Sequence, residues 1–339
     1  LALFDYLRKC RAQGFAISLS GGADSSACAS LVTLMVKLAA GEIGLDGLKA
    51  RLGHIGALAD AQDEAAIIQA MLLCVYQATR NSSERTLNAA RTLADALHAR
   101  FMCFDVDGVV NRYVTMVEEA IGRPLTWEQD DVTLQNIQAR ARAPGIWMCA
   151  NIYNFLLVAT SNRSEAAVGY ATMDGDTCGG LSPIAGIDKA FLRSWLRWLE
   201  ADGPEGVGPI PALSVVNAQV PTAELRPQAQ DQTDEGDLMP YPLLDAIERA
   251  AIRDKRSPVE AYQLMRVAFP QYGVQQLGAW VTRFFQLWCR NQWKRERYAP
   301  SFHVDDENLD PKTWCRFPIL SGGFEQELAE LRARIAAEV

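Results

Sequence analysis

Seven residues near the start of the chain, Ser20-Gly21-Gly22-Ala23-Asp24-Ser25-Ser26, have the types and spacing needed to hold a phosphate. Glycines at 21 and 22 let the backbone turn sharply and bring bare amides close to an anion. The serines add hydroxyl donors, and a helix starting here adds the partial positive charge of its N-terminus. Asp24 departs from that logic: a carboxylate beside a phosphate repels it unless a divalent cation lies between them, so Asp24 implies Mg²⁺. The segment is not a Walker loop, because G-x-x-x-x-G-K-[ST] supplies a lysine to the β and γ phosphates and no lysine occurs here. A second cluster, Thr160-Ser161-Asn162-Arg163-Ser164-Glu165, leaves a strand and enters a helix with Glu165 in about its first turn. The helix dipole ordinarily explains such a glutamate, at about 0.3–1 kcal/mol. In a chain whose phosphate loop already asks for a metal, Glu165 becomes the natural second carboxylate ligand.

Positioning these residues requires strands. Apolar runs at 15–19, 71–77, 101–106 and 155–159 read as buried strands, with amphipathic helices between them and the first helix running from about 25 to 40. The alternation implies an α/β fold, a doubly wound parallel sheet with helices on both faces. In such sheets ligands bind beyond the carboxyl ends of the strands. The Ser20 loop, Ser82-Ser83, Asp105 with Asp107, and Thr160-Ser161-Asn162 all follow strand ends. Residues 41–70 read as a helical insertion, 201–211 as a Gly- and Pro-rich loop, and 227–237 as a polar loop. The pattern is helical from Tyr241 to about Trp293. An irregular stretch marked by Pro300, Pro311 and Pro318 then precedes a final helix from about Phe324, a helical C-terminal extension.

Composition limits the function classes. In 339 residues, 49% hydrophobic, there is material for a sizeable core, and a net charge of −8 argues against a non-specific nucleic-acid binder. Phosphate-bearing substrates must therefore meet local positive charge. No apolar run is read as a membrane span, and the first residues lack the basic and apolar regions of a secretion signal, so the expected location is cytoplasmic. Eight cysteines form no C-x-x-C pair, and three scattered histidines give little support to a zinc site or a histidine triad. The chain opens at Leu1 and is expected to be a piece of something longer.

Ser-Gly-Gly-x-Asp-Ser resembles the pyrophosphate loop (PP-loop) of the ATP pyrophosphatases, whose fold is adenine nucleotide α-hydrolase-like. Their chemistry splits ATP between the α and β phosphates and leaves an adenylated substrate. With Thr160-Ser161-Asn162-Arg163-Ser164-Glu165-Ala166-Ala167-Val168-Gly169-Tyr170, then Gly175-Asp176, Pro183-Ile184 and Lys189, the chain resembles the NAD⁺ synthetases. Gln135 to Arg142, Pro221-Thr222-Ala223-Glu224-Leu225, Gln232-Thr233-Asp234-Glu235 and Trp293-Lys294-Arg295 follow in the family's order, over most of 1–320. The stretch Ala299-Pro300 with Trp314-Cys315-Arg316-Phe317-Pro318-Ile319 resembles an extension of the glutamine-dependent members. The resemblance implies a synthetase domain at 1–297 and a tail at 298–339 packed on the same domain. The nitrilase-like glutaminase half of those enzymes is expected to be absent, leaving free ammonia, or a glutaminase domain or subunit elsewhere, as the nitrogen source.

The implied reaction is ATP-dependent amidation of deamido-NAD⁺ to NAD⁺ through an acyl adenylate, with AMP and pyrophosphate released. In that scheme Mg²⁺ sits on Asp24 and Glu165, and Ser20, Gly21, Gly22, Ser25 and Ser26 cradle the phosphates. Lys189 and Thr222 contact the ATP phosphates, and Thr160 lies near the nucleotide. For deamido-NAD⁺ the resemblance points to Asn136 and Arg140, four residues apart on one helix face, with Arg142 about 200° round from Arg140. Glu165, Tyr170 and Lys294 are candidates for the same ligand. Met173 and Gly180 stand where ammonia-dependent members carry lysine and aspartate; Gly179-Gly180 is a feature of glutamine-dependent bacterial members, and Asp176 is the candidate to replace the missing carboxylate. A homodimer or higher homo-oligomer is expected. The alternatives are another adenylating enzyme of the group, GMP-synthetase-like or a tRNA thiolase, and a non-catalytic nucleotide sensor; retention of both Asp24 and Glu165 argues against the sensor.

Overall fold

The computed structural model describes residues 1–220, 222–227, 233–313, 315 and 322–338. Pro221, residues 228–232 of the polar loop, and Trp314 with 316–321 of the tail motif lie outside them. The chain forms two compact units.

The first unit comprises Leu1–Thr160, Thr172–Pro183 and Leu192–Thr233. Its centre is a parallel sheet of β1 (Phe15–Ser18), β2 (Leu72–Ala78), β3 (Arg100–Asp105) and β4 (Leu156–Val158), in the order β3-β2-β1-β4. Each matches a strand expected from the apolar runs. Ala16 stands opposite both Leu73 and Leu157, so these residues share a face. With Val75 they pack on Ile146, Cys149 and Ala150 of α6 (Trp127–Tyr153). On the opposite pleat Phe15, Ile17, Leu72 and Cys74 are also fully buried, as a sheet covered on both faces requires. Its other elements include α1 (Ala2–Cys10), α2 (Ala23–Arg51), α3 (Glu64–Met71), α4 (Glu84–Ala96), α5 (Asp107–Ile121) and α9 (Ser214–Asn217). β1 is the switch point of the topology: β2 and β3 lie on one side and β4 on the other, the place where sheets of this kind bind their ligands.

Two expectations about α2 are corrected. The helix does not stop near residue 40; it continues to Arg51 with one break at Gly44 (φ 70°), so the 41–70 segment begins as its extension and ends in α3. By length and composition α2 is also apolar enough to cross a membrane, and half of its most apolar window is buried inside the protein. Its Ala27, Cys28, Ala29, Val32 and Val36 are core residues.

The second unit comprises Ser161–Ala171, Ile184–Phe191 and Asp234–Val339. It holds α7 (Arg163–Val168), the first turn of α8 (Lys189–Ala201), α10 (Asp234–Asp237) and α11 (Tyr241–Glu248), which runs into a π-helical turn, Arg249–Arg253. There follow α12 (Pro258–Ala268), α13 (Val274–Arg290), α14 (Gln292–Arg295) and α15 (Glu325–Glu338). Leu243, Leu244, Ile247, Tyr262, Phe284 and Phe285 form its core with Ala166, Ala167 and Val168 of α7. A capping box of Ser257 and Glu260 starts α12. The boundary expected at 297/298 falls inside this unit.

Candidate active site

In the first unit the loop from β1 to α2 is built for close backbone approach. Gly21 has φ 82°, and a Cβ there would lie 2.3 Å from the Thr86 carbonyl oxygen. Ser20 N–H donates to Ser25 Oγ (3.2 Å), the two hydroxyls share a 3.1 Å hydrogen bond, and Gly22 N–H donates to Ser20 Oγ (3.3 Å). Ser25 Oγ also lies 3.3 Å from the Gly22 carbonyl, and the Ser26 hydroxyl is buried without a partner among the described residues. Asp24 is half-buried in the first turn of α2.

Thr222 reaches this region through its neighbours. Gln219 Nε2 donates to the Gly21 carbonyl (3.3 Å), and Glu224, itself at φ 46°, accepts from Ser83 Oγ (2.7 Å), Thr86 Oγ1 (2.8 Å) and Ser83 N–H (3.3 Å) at the start of α4. Tyr76 of β2 shares a 2.9 Å hydrogen bond with Thr86 Oγ1. Thr222 itself is exposed, its Oγ1 taking the Glu224 N–H at 3.3 Å. The sequence pointed to Thr222 and missed Glu224 as the residue that fastens its segment. The visible signal was a glutamate two residues on, facing the Ser82-Ser83 strand end.

Three of the residues proposed for deamido-NAD⁺ meet around the segment after Ala171. Thr172 Oγ1 donates to Asn136 Oδ1 (2.7 Å), Thr172 N–H to Asp176 Oδ1 (2.7 Å), and Arg140 Nε to the Met173 carbonyl (3.0 Å). Arg140 is exposed. Arg142, about 200° round the helix from Arg140, has a buried Nε without a partner among the described residues; burial lowers its pKa, opposed by Tyr76, Glu224 and Asp176. Met173 is buried, its sulfur near Thr177 Oγ1. Gly179 and Gly180 lie against β4: a Cβ on Gly179 would come 2.5 Å from Ala159 N, Gly180 N–H donates to the Leu157 carbonyl (2.8 Å), and Leu181 bridges to Val158. The two departures from the ammonia-dependent pattern are thus built into the packing. Thr160 follows β4 at the end of this unit's first segment.

In the second unit Asn162 caps α7, its Oδ1 accepting from Glu165 N–H (2.9 Å). Glu165 and Lys189, both buried, form an ion pair at 2.9 Å, and the Lys189 ammonium lies 5.5 Å from the Tyr241 ring centroid. Arg163 is fully enclosed by Glu248 (2.9 Å), Asp188 (3.0 Å), Glu307 (2.7 Å) and Asp305 (3.3 Å). Burial raises the Glu248 pKa, opposed by Arg163. Tyr170 OH donates to Asp237 (2.9 Å); burial and then the Asp234 and Asp237 charges raise its pKa. Lys294 Nζ donates to the carbonyls of Gly169 and Ala171 at 2.7 Å each, which holds the chain leaving α7. No group of three His, Cys, Asp or Glu residues suited to a metal occurs among the described residues. Mg²⁺ with a nucleotide needs only one or two carboxylates, the phosphates and water supplying the rest, and a hard oxygen donor such as a carboxylate suits it.

A parallel α/β sheet with a phosphate loop of non-Walker type at its switch point defines a nucleotide-binding protein. Residues 1–296 match the family model "NAD synthase", and the chain belongs to the NAD synthase family. It is 31% identical over 326 residues to the glutamine-dependent NAD(+) synthetase of Oryza sativa subsp. indica, covering 89% of this chain and 44% of that protein. The corresponding protein of Aquifex aeolicus is 30% identical over 325 residues, covering 96% and 47%. The chain therefore spans about half the length of the curated relatives it matches. Among solved structures it is similar to a glutamine-dependent NAD(+) synthetase from Cytophaga hutchinsonii, with TM-score 0.85, 46% identity, and coverage of 97% of this chain and 54% of that one. Likeness to the NH3-dependent NAD synthetase of Campylobacter jejuni, 17% identical with TM-score 0.55 over 89% and 94% of the two chains, concerns the fold alone. The fold is the PP-loop, adenine nucleotide α-hydrolase-like one expected from the Ser20 loop.

Proposed function

We propose that this chain forms NAD⁺ from deamido-NAD⁺, using ATP to convert the nicotinate carboxylate into an acyl adenylate that ammonia then attacks, with release of AMP and pyrophosphate. The observation that carries this reading is the anion-binding loop at Ser20–Ser26, with Gly21 held against Thr86, in a chain matching the NAD synthase family over 1–296. An anionic carboxylate must approach an anionic α-phosphate, and the loop amides and hydroxyls with Lys189 are the groups that offset that repulsion. Asp24 and Glu165 are the residues that would hold Mg²⁺, which when bound neutralises phosphate charge. Asn136, Arg140 and Asp176, gathered around Thr172, support a deamido-NAD⁺ subsite, with Tyr170 and Lys294 as further candidates.

Ammonia is the immediate nucleophile in this reading, supplied as free ammonium or by a glutaminase domain or subunit; the names of the relatives point to glutamine. The test is a coupled assay for NAD⁺ with ATP, Mg²⁺ and deamido-NAD⁺, comparing ammonium with glutamine. Product with ammonium alone supports a synthetase unit without its own glutaminase. No product with either nitrogen source overturns the reading.

A further inference from the structure

Three backbone amides open α8, and each meets a side chain. Lys189 N–H donates to Ser164 Oγ (2.8 Å), Ala190 N–H to Asp245 Oδ2 (3.0 Å) and Phe191 N–H to Asp188 Oδ1 (2.7 Å). Ser164 donates its own proton to Asp245 Oδ1 at 2.5 Å, so hydroxyl and carboxylate form one relay across adjacent amides. The first amides of a helix have no partner within it, and side-chain caps fix where the helix begins. Here the relay joins α7 to α11, and the residue it fixes is Lys189, whose ammonium pairs with Glu165, the sequence neighbour of Ser164.

α11 serves more of this region than its cap. Tyr241, Asp245 and Glu248 follow one another at i, i+4 and i+7 and so share a helix face. Each meets a different part of the junction: the Tyr241 ring lies beneath the Lys189 ammonium, Asp245 takes the relay, and Glu248 pairs with Arg163. All three are buried. An exposed serine or asparagine would cap a helix at about 1 kcal/mol without burying carboxylates. Stability of α8 alone therefore does not account for the arrangement.

We propose that α11 is the positioning element of the reaction centre, with Asp245 acting through Ser164 to set the direction of the Lys189 side chain and thereby the Lys189–Glu165 pair. Asp245 and Ser164 are positioning residues. The proposal rests on the reading of the chain as an ATP-dependent synthetase in which Lys189 meets the ATP phosphates.

The test is calorimetric titration with α,β-methylene-ATP and Mg²⁺, an analogue that cannot release pyrophosphate, alongside NAD⁺ formation. The variants are Ser164→Ala, Ser164→Thr, Asp245→Ala, Lys189→Met and Ser164→Ala combined with Lys189→Met. Ser164→Ala and Asp245→Ala are each expected to weaken analogue binding about five- to tenfold, the scale of a lost cap. Both should lower kcat/KM for ATP at least as much. Ser164→Thr, which keeps the hydroxyl, should stay within about threefold of wild type. On the Lys189→Met background Ser164→Ala should add nothing, because coupled residues are non-additive. Analogue binding unchanged in both alanine variants, or a Ser164→Ala loss that persists in full without Lys189, overturns the proposal. A wild type inactive with either nitrogen source overturns instead the reading beneath it, so the two failures are distinct.

Discussion

At the scale of single residues the phosphate loop makes two separable demands, one for charge and one for space. Asp24→Asn keeps the side-chain shape and removes the charge that would hold Mg²⁺, so turnover should fall about a hundredfold or more while the fold remains. Circular dichroism and the coupled NAD⁺ assay check this together, and a variant that still turns over takes Asp24 out of the metal-binding set. Gly21→Ala is a spatial change: φ 82° is left-handed and the added methyl would meet the Thr86 backbone at 2.3 Å, which cannot swing aside. It should destabilise the unit by about 1–3 kcal/mol and abolish ATP binding. At Gly22 the nearest atom to an added Cβ is Ser20 Oγ at 3.4 Å, ordinary contact, so Gly22→Ala should leave the urea midpoint nearly unchanged. An equal loss of stability at both positions would contradict this reading. The loop was legible because glycine, serine and aspartate at these positions have few other uses. Glu224 and Arg142 were not, since a loop glutamate and a helix arginine in a sequence look like solvated charges, and only tertiary packing turns them inward.

At the scale of elements the four strands were legible because parallel strands buried on both faces are continuous apolar runs bounded by turn residues. The continuation of α2 was not: glycines at 41, 44 and 47 weaken a helix locally, while Leu48 and Leu52 find burial that holds it through its one kink. The role of α11 was equally hidden, because Asp245 lies far in sequence from the two helices it joins. Burial pushes the Asp245 carboxyl up to about 7 against the lowering effect of Ser164, with Asp188 adding to the rise; Glu248 is a further charged neighbour. An unfolded aspartate titrates near 3.9. The folded protein thus holds the proton more tightly, and ionisation costs stability from about pH 4 upward, in full above about pH 7. Asp245→Asn cannot ionise. Wild type should therefore lose stability relative to this variant between about pH 4 and pH 7, by up to a few kcal/mol. Urea denaturation of both proteins at several pH values measures the difference, and a gap that does not vary with pH would rule out the titration of Asp245.

At the scale of the whole molecule, the first unit carries apolar surface that its own core does not use. On α5, Val109, Tyr113, Met116, Val117 and Ile121 are all at least 39% exposed, at spacings that place them along one stripe of the helix. On α6, Val132, Met148 and Ile152 are exposed as well. Isolated exposed apolar residues are ordinary, whereas a continuous stripe of this length is the kind of surface that interaction sites use. A homo-oligomer is the expected occupant, because a second copy offers the same stripe in return and a two-fold contact is self-complementary. Met116→Glu combined with Val117→Glu puts two charges into that stripe at positions with little role in the unit's core. Light scattering should give at least twice the chain mass for wild type and the single-chain mass for the variant, with an unchanged circular dichroism spectrum. A wild type that stays monomeric across the assay concentrations would refute the oligomer, and a variant that stays associated would place its contact elsewhere than on α5.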